Sequence, residues 1–225
     1  MGQSADQSMS TKAHWEAVFR KKQGNEVSWY QPHLRLSMRL FARGGASAKS
    51  RVIDIGGGDS TLVDDLLANG VQDVTVLDIS SEALSRSRKR LGASAGSVRW
   101  IEADVRHAQL PSSYYDVWHD RAVFHFLVNP EERAAYTKIL GSALRPSAYV
   151  MIATFATDGP TRCSGLPTMR YSPGELQAEL GPRYELIDAE PENHRTPSGA
   201  EQRFVYCLLQ RRTEASSRCR NCITL

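Results

Sequence analysis

Long apolar runs are missing from this chain of 225 residues. No stretch approaches the roughly 18 consecutive apolar residues that a membrane-crossing helix needs, so a membrane partner is not expected. The first residues, Met1-Gly2-Gln3-Ser4-Ala5-Asp6, contain no apolar core of the secretory kind, and Asp6 stands where a myristoylation signal needs Ser or Thr. A large excess of one charge is also missing. Lys+Arg 28 against Asp+Glu 25 leaves +3, which gives no argument for nucleic acid. Cysteine is scarce: Cys163, Cys207, Cys219 and Cys222 are the four. Without a secretory signal they predict free thiols rather than structural disulfides. Cys219 and Cys222 form a CxxC in a polar tail, and the last four residues match a prenylation box only loosely because Thr224 replaces an aliphatic residue. A cytoplasmic protein of one large α/β domain is the expectation.

What is present is an alternation. Helical spacing of Trp15, Val18 and Phe19 after Thr11 predicts a first helix, with residues 1–10 frayed, and residues 33–43 read as a second. Strand-like runs at 51–55, 73–78, 98–102, 115–119 and 149–155 are separated by helical patterns near 60–69, 81–91 and 130–144. Ser172-Pro173 opens a further helix to 180, and strands at 184–189 and 202–210 follow as an antiparallel pair. The basic run Arg86 to Arg90 reads as a solvated helix face. This order implies a Rossmann-like three-layer α/β sandwich: a seven-stranded, mostly parallel sheet with an antiparallel last strand and an N-terminal helical cap. The expected division is a cap over 1–48, a cofactor-binding domain over 49–212 and a polar tail over 213–225.

Chemistry concentrates at Asp54-Ile55-Gly56-Gly57-Gly58, where a β-branched run enters three glycines and a helix follows. Such a turn lets a cofactor lie against bare backbone. Asp78 ends the next strand, 22 residues beyond Gly56, near the offset at which this kind of fold puts an acid on a ribose. Asp59, Ser60 and Thr61 follow the glycines, so the last glycine of a dinucleotide fingerprint is absent. Asp54 at the mouth of the turn disfavours a pyrophosphate and suits a cationic amine. These features favour S-adenosylmethionine.

On these residues the chain resembles the class I S-adenosylmethionine-dependent methyltransferases. The resemblance implies that Asp54, Gly56, Gly57 and Gly58 form the first cofactor motif, that Asp78 binds the ribose, and that Asp104 in Glu102-Ala103-Asp104-Val105 binds the adenine amino group, with Ile79 and Val105 beside the ring. Asp116 to Arg121 is similar to the fourth-strand motif beside the transferred methyl. Trp15 and Phe19 with Ser28-Trp29-Tyr30-Gln31 resemble the N-terminal segment of small methyltransferases related to the citrate-synthase and elongation-factor lysine methyltransferases and their bacterial homologues. That implies cofactor contacts for Trp15 and Trp29, against the alternative of core anchors. The sequence after the fourth strand, His119-Asp120-Arg121-Ala122-Val123-Phe124-His125-Phe126, departs from the lysine-specific subgroup.

For the methyl acceptor, a small molecule or a protein side chain, the candidates follow the fourth and fifth strands. Asp120 and His119 are the candidate bases, with an N-cap as the other reading of Asp120 and core packing as the reading of His125. Arg162, Cys163, Arg170 and Tyr171 in the long connection after the fifth strand, and His194 nearer the end, are candidate acceptor contacts. Cys163 with Cys219 and Cys222 also admits thiol-assisted methylation of arsenite or another soft metalloid. A nicotinamide-dependent oxidoreductase and a non-catalytic Rossmann-like module are the alternatives from other classes. No metal site is expected, and the oligomeric state is not written in the sequence.

Overall fold

The computed structural model describes residues 3–22 and 24–213, with side chains from Thr11 onward. Cys219, Cys222 and the expected tail beyond Thr213 lie outside the described residues.

Parallel strands β1 (Arg51–Ile55), β2 (Asp73–Asp78), β3 (Val98–Glu102), β4 (Tyr115–Arg121) and β5 (Leu144–Phe155) form the centre of the sheet. A two-stranded hairpin, β6 (Arg162–Cys163) and β7 (Leu166–Pro167), stands apart from it. The long pair β8 (Tyr184–Arg195) and β9 (Glu201–Arg211) completes seven strands in the order β3-β2-β1-β4-β5-β9-β8. Strand β9 runs antiparallel to both neighbours and is the last among the described residues, as expected. The helices are α1 (Gln3–Lys21), α2 (Arg35–Arg43), α3 (Leu62–Ala68), α4 (Ser81–Leu91), α5 (Pro130–Ala143) and α6 (Pro173–Leu180).

Alternation along the strands divides the core. Ile53 and Ile55 on β1, Trp118 on β4 and Val150 and Ile152 on β5 pack with Tyr136 and Leu140 of α5 and Leu176 of α6. Val52, Val117 and Met151 point to the opposite face, with Leu40 and Phe41 of α2 and Leu62 and Leu66 of α3. Each of these large apolar side chains contributes about 1.5–3 kcal/mol by leaving water. Period two also sorts the polar residues at the strand ends. Asp54 pairs in register with His119 and faces the α2 layer, whereas Asp120 faces the α5 layer.

Helix ends follow their sequence signals. Ser172 Oγ accepts from Glu175 N at 3.3 Å while Ser172 N donates to Glu175 Oε2 at 2.8 Å, a closed capping box behind Pro173. Ser80 Oγ accepts from Ala83 N at 3.2 Å and starts α4.

Several boundaries differ from expectation. Helix α1 begins at Gln3, so residues 3–10 are helical rather than frayed. Strand β8 runs past its expected end at Ala189, through Pro191 to Arg195, and an edge strand tolerates the proline. Strand β5 begins at Leu144, beyond a register shift between Tyr115 and Val117 on its partner. The basic run on α4 is not simply solvated: Arg86 donates to the Lys22 carbonyl at 2.6 Å and to the Phe19 carbonyl, and Arg90 donates to Ser60 O at 2.6 Å and Asp64 Oδ2 at 2.8 Å. Among the described residues no helix is long and apolar enough to cross a membrane.

Candidate active site

Strand order reverses between β1 and β4, and a crevice opens at the carboxyl ends of these strands. It holds a cavity of about 360 Å³. That is the scale of a single cofactor-sized ligand site. The glycine turn forms its floor. Gly56 takes φ +67°, and a Cβ there would come within 2.2 Å of Val123 Cγ2. A Cβ on Gly57 would meet Asp54 Oδ2 at 2.2 Å, and one on Gly58 would meet Ala83 Cβ at 2.5 Å and Asp78 Oδ2 at 2.6 Å. The three glycines therefore make room for the side chains of Val123, Asp54, Ala83 and Asp78, and Gly56 and Gly57 line the cavity itself.

Two carboxylates line this floor. Asp54 is 2 % exposed; its Oδ1 lies 2.7 Å from His119 Nδ1, and its Oδ2 has no hydrogen-bond partner among the described residues. His119 Nε2 meets Ser37 Oγ of α2 at 2.9 Å, so the ring is fixed at both nitrogens. Asp78 accepts from Gly58 N at 2.9 Å and Ser80 N at 2.8 Å. Burial pushes its carboxyl up to about 6, and the charges of Asp54 and Glu16 add to the rise, against those two backbone hydrogen bonds.

Asp104, Val105 and Ile79 line the far side with Ala103 and Leu127. Burial works against the charge of Asp104, but hydrogen bonds from Arg106 outweigh it and hold the carboxyl below its usual range. Arg106 Nε sits 2.9 and 3.0 Å from the two Asp104 oxygens, and its Nη1 reaches Glu132 of α5.

The roof is aromatic. Trp15 lies edge-on to Phe126 at 5.1 Å and to Trp29 at 5.9 Å between ring centroids, and Phe19 is 6.1 Å from Trp29. All four rings line the cavity. Helix α1 is held in place by Glu16, whose Oε1 accepts from Ser81 N at 2.7 Å and Ser81 Oγ at 2.9 Å.

The remaining candidates divide. Cys163 lines the cavity from the β6–β7 hairpin, 3.9 Å from Ser28 Oγ, and burial pushes its thiol up. Asp120 does not line it. Its Oδ1 accepts from Val123 N at 2.9 Å and Phe124 N at 3.3 Å, and its Oδ2 from Tyr136 Oη at 2.7 Å, on the α5 face of the sheet. These bonds give it the cap-like role. Arg162 and Arg170 are exposed outside the lining, and Tyr171 is buried against Phe124. His194 Nε2 is 2.7 Å from the Ser28 carbonyl and also lies outside the lining. His125 packs between Phe126, Phe155 and Phe204, with both ring nitrogens unpartnered among the described residues, and burial lowers its pKa to about 3.

Sequence reasoning passed over Arg121 and Ala122 as site residues. Arg121 lines the cavity with 6 % of its side chain exposed. Ala122 takes φ +71°, a left-handed conformation that turns the chain after β4 and brings Val123 against Gly56. The signal for Arg121 was available, since it is the last residue of the β4 motif.

Comparison with known proteins agrees with this geometry. Residues 52–147 match the family model described as a methyltransferase domain. An eEF1A lysine and N-terminal methyltransferase of Mus musculus is 24% identical over 126 residues, 56% of this chain and 18% of that protein. An uncharacterised methyltransferase of Mycobacterium bovis is 31% identical over 115 residues, 51% of this chain and 54% of that one. The chain thus matches about a fifth and about half of the lengths of these two relatives. In fold it is similar to the Burkholderia thailandensis 1,6-didemethyltoxoflavin-N1-methyltransferase, solved with 1,6-didemethyltoxoflavin and S-adenosylhomocysteine. The TM-score is 0.65 at 19% identity, covering 91% of this chain and 85% of that one. Residues 52–147, with the glycine turn inside them and the parallel strands that carry it, are thus similar to a methyltransferase domain, and the seven-stranded sheet has the fold of S-adenosylmethionine-dependent methyltransferases.

Proposed function

We propose that this protein moves the methyl group of S-adenosylmethionine to a small molecule, in preference to a protein side chain. The observation that carries the cofactor assignment is the buried, unpartnered Oδ2 of Asp54 at the wall of the cavity. A buried carboxylate oxygen without a donor costs free energy, and a bound ammonium offsets that cost. Asp78 takes the ribose hydroxyls, Asp104 the adenine amino group, and Ile79 and Val105 the faces of the base. Trp15 and Trp29 cover the cofactor from the cap.

The bound cofactor supplies an activated methyl group on a cationic sulfur. The protein's part is to orient and to exclude water. Trp15, Trp29 and Phe126 supply an apolar lid, and Val123 packs the turn after β4 against Gly56. His119, fixed between Asp54 and Ser37, positions the acid rather than acting as a base. The small-molecule reading is supported by the roofing of the cleft by α1 and by the toxoflavin-type acceptor of the fold neighbour. Free thiols at Cys163 and Cys207 suit a reducing, cytoplasmic setting.

Calorimetry with S-adenosylhomocysteine and with NADH tests the assignment. The expected result is tight S-adenosylhomocysteine binding, weakened at least tenfold by Asp54→Asn. Binding of NADH without S-adenosylhomocysteine would return the oxidoreductase reading.

A further inference from the structure

The wall that meets the acceptor has a chemistry distinct from the floor. The acids lining the cavity come from β1, β2 and the segments after them, from Asp104 beyond β3, and from α5. Among the described lining residues from the N-terminal cap, β4 with the turn after it, and the β6–β7 hairpin, Arg121 is the one Lys, Arg, Asp or Glu side chain.

Arg121 is built into the protein. Its Nε donates to Tyr206 Oη at 2.6 Å, its Nη1 donates to the Trp29 carbonyl at 2.8 Å, and its guanidinium lies 4.9 Å over the Phe204 ring. Its Nη2 is buried and makes no hydrogen bond among the described residues. Glu192 Oε2 lies 3.6 Å from Nη2, outside hydrogen-bond reach. The Glu192 oxygens accept instead from Gln31 Nε2 at 2.8 Å and Tyr206 Oη at 3.0 Å. Glu192 is therefore an ion-pair partner that tempers the charge of Arg121 without a hydrogen bond to Nη2. A buried guanidinium donor left open favours an anion, because a charge-assisted hydrogen bond in a water-poor site is stronger than a neutral one.

Resting on the methyltransferase reading, we infer that the acceptor is a small, largely apolar molecule bearing a negative charge. It seats that charge on Arg121 and its apolar body among Trp15, Trp29 and Phe126. The same wall disfavours an ammonium acceptor such as lysine. A cation there would face Arg121 without an acid from the cap, the β4 turn or the hairpin. It would also find no free base among the sequence candidates, since both nitrogens of His119 and both oxygens of Asp120 are engaged.

The test loads the full chain with S-adenosylhomocysteine and titrates benzoate, benzamide and benzylamine, followed by ligand-observed NMR. The three share a ring and differ in charge. Benzoate is expected to bind about tenfold more tightly than benzamide, with benzylamine weakest. Arg121→Gln is expected to erase the preference and Arg121→Lys to retain part of it. S-adenosylhomocysteine affinity and Tm are recorded for each protein. Equal binding of benzoate and benzamide, a preference for benzylamine, or no binding by any probe overturns the anionic acceptor even where S-adenosylhomocysteine binds. Failure of the wild type to bind S-adenosylhomocysteine removes the underlying reading instead. Should Arg121→Gln not fold, the three-probe comparison on the wild type and on Arg121→Lys decides.

Discussion

Asp54 and His119 are register partners on adjacent parallel strands, and Oδ1 of one lies 2.7 Å from Nδ1 of the other. The contact continues to Ser37 at 2.9 Å, so a helix of the cap fixes the rotamer of the acid proposed to bind the cofactor's amine. His119→Ala is expected to weaken S-adenosylhomocysteine binding about tenfold, the scale of one lost hydrogen bond to a buried charge. Ser37→Ala is expected to cost a few-fold. Calorimetry at one pH measures both. An unchanged affinity in His119→Ala would show that Asp54 needs no support.

Gly58→Ala tests the floor. The added Cβ would lie 2.5 Å from Ala83 Cβ and 2.6 Å from Asp78 Oδ2, so Asp78 must give up its bond to Gly58 N. Overpacking of this kind costs about 1–3 kcal/mol of stability. S-adenosylhomocysteine affinity is expected to fall about a hundredfold. A denaturant titration beside the calorimetry separates the two effects.

Asp78 sets a pH dependence. Its carboxyl is pushed up to about 6, chiefly by burial, and the ionised form is the better acceptor for ribose hydroxyls. Cofactor affinity is therefore full above that value and falls as pH drops through it, by at most about tenfold per unit. For the unliganded fold the sign is opposite: the raised pKa adds stability at low pH that is lost as pH rises through about 6. Asp78→Asn is expected to bind weakly at every pH with a flat profile between pH 5 and 7.

The fold was legible wherever local pattern and tertiary environment agree. Val52 to Ile55 and Val74 to Asp78 are buried strands, read as such because β-branched runs end in turn residues. The far half of β8 was missed because residues 190–195 are polar, and a proline such as Pro191 fits a strand only at an edge, which topology alone tells. Within the site, the carboxylates on the floor were legible from spacing. The opposite orientations of His119 and Asp120 were implied by period two. The engagement of Asp120 by Tyr136, 16 residues away on α5, was not. The motif position of Arg121 was legible, but its engagement by Trp29, Glu192 and Tyr206 was not, because those partners come from distant segments.

His125 gives a stability prediction independent of function. Both ring nitrogens are buried without partners, and burial lowers its pKa to about 3 from 6.5. In the unfolded chain it gains a proton near 6.5, so its contribution is present above that pH and is lost as pH falls toward about 3, by at most about 1.4 kcal/mol per unit. His125→Phe is expected to raise stability by about 1–3 kcal/mol at neutral pH, since no polar atom is left unpaired. Relative to wild type, the gain is expected to grow on acidification. Urea titrations of both proteins between pH 5 and 8 measure it.

The acid at the end of β2 and the doorway of the cleft share one mechanical element. Asp78 holds the backbone of Ser80, and the next residue, Ser81, holds Glu16 beside Trp15. Lifting that tryptophan means unhooking Glu16 from the first turn of α4, the same turn that Asp78 steadies. On the proposed binding mode the sugar-binding acid and the Trp15 roof thus hang from a single pin, and a ligand that grips one end of it stiffens the other.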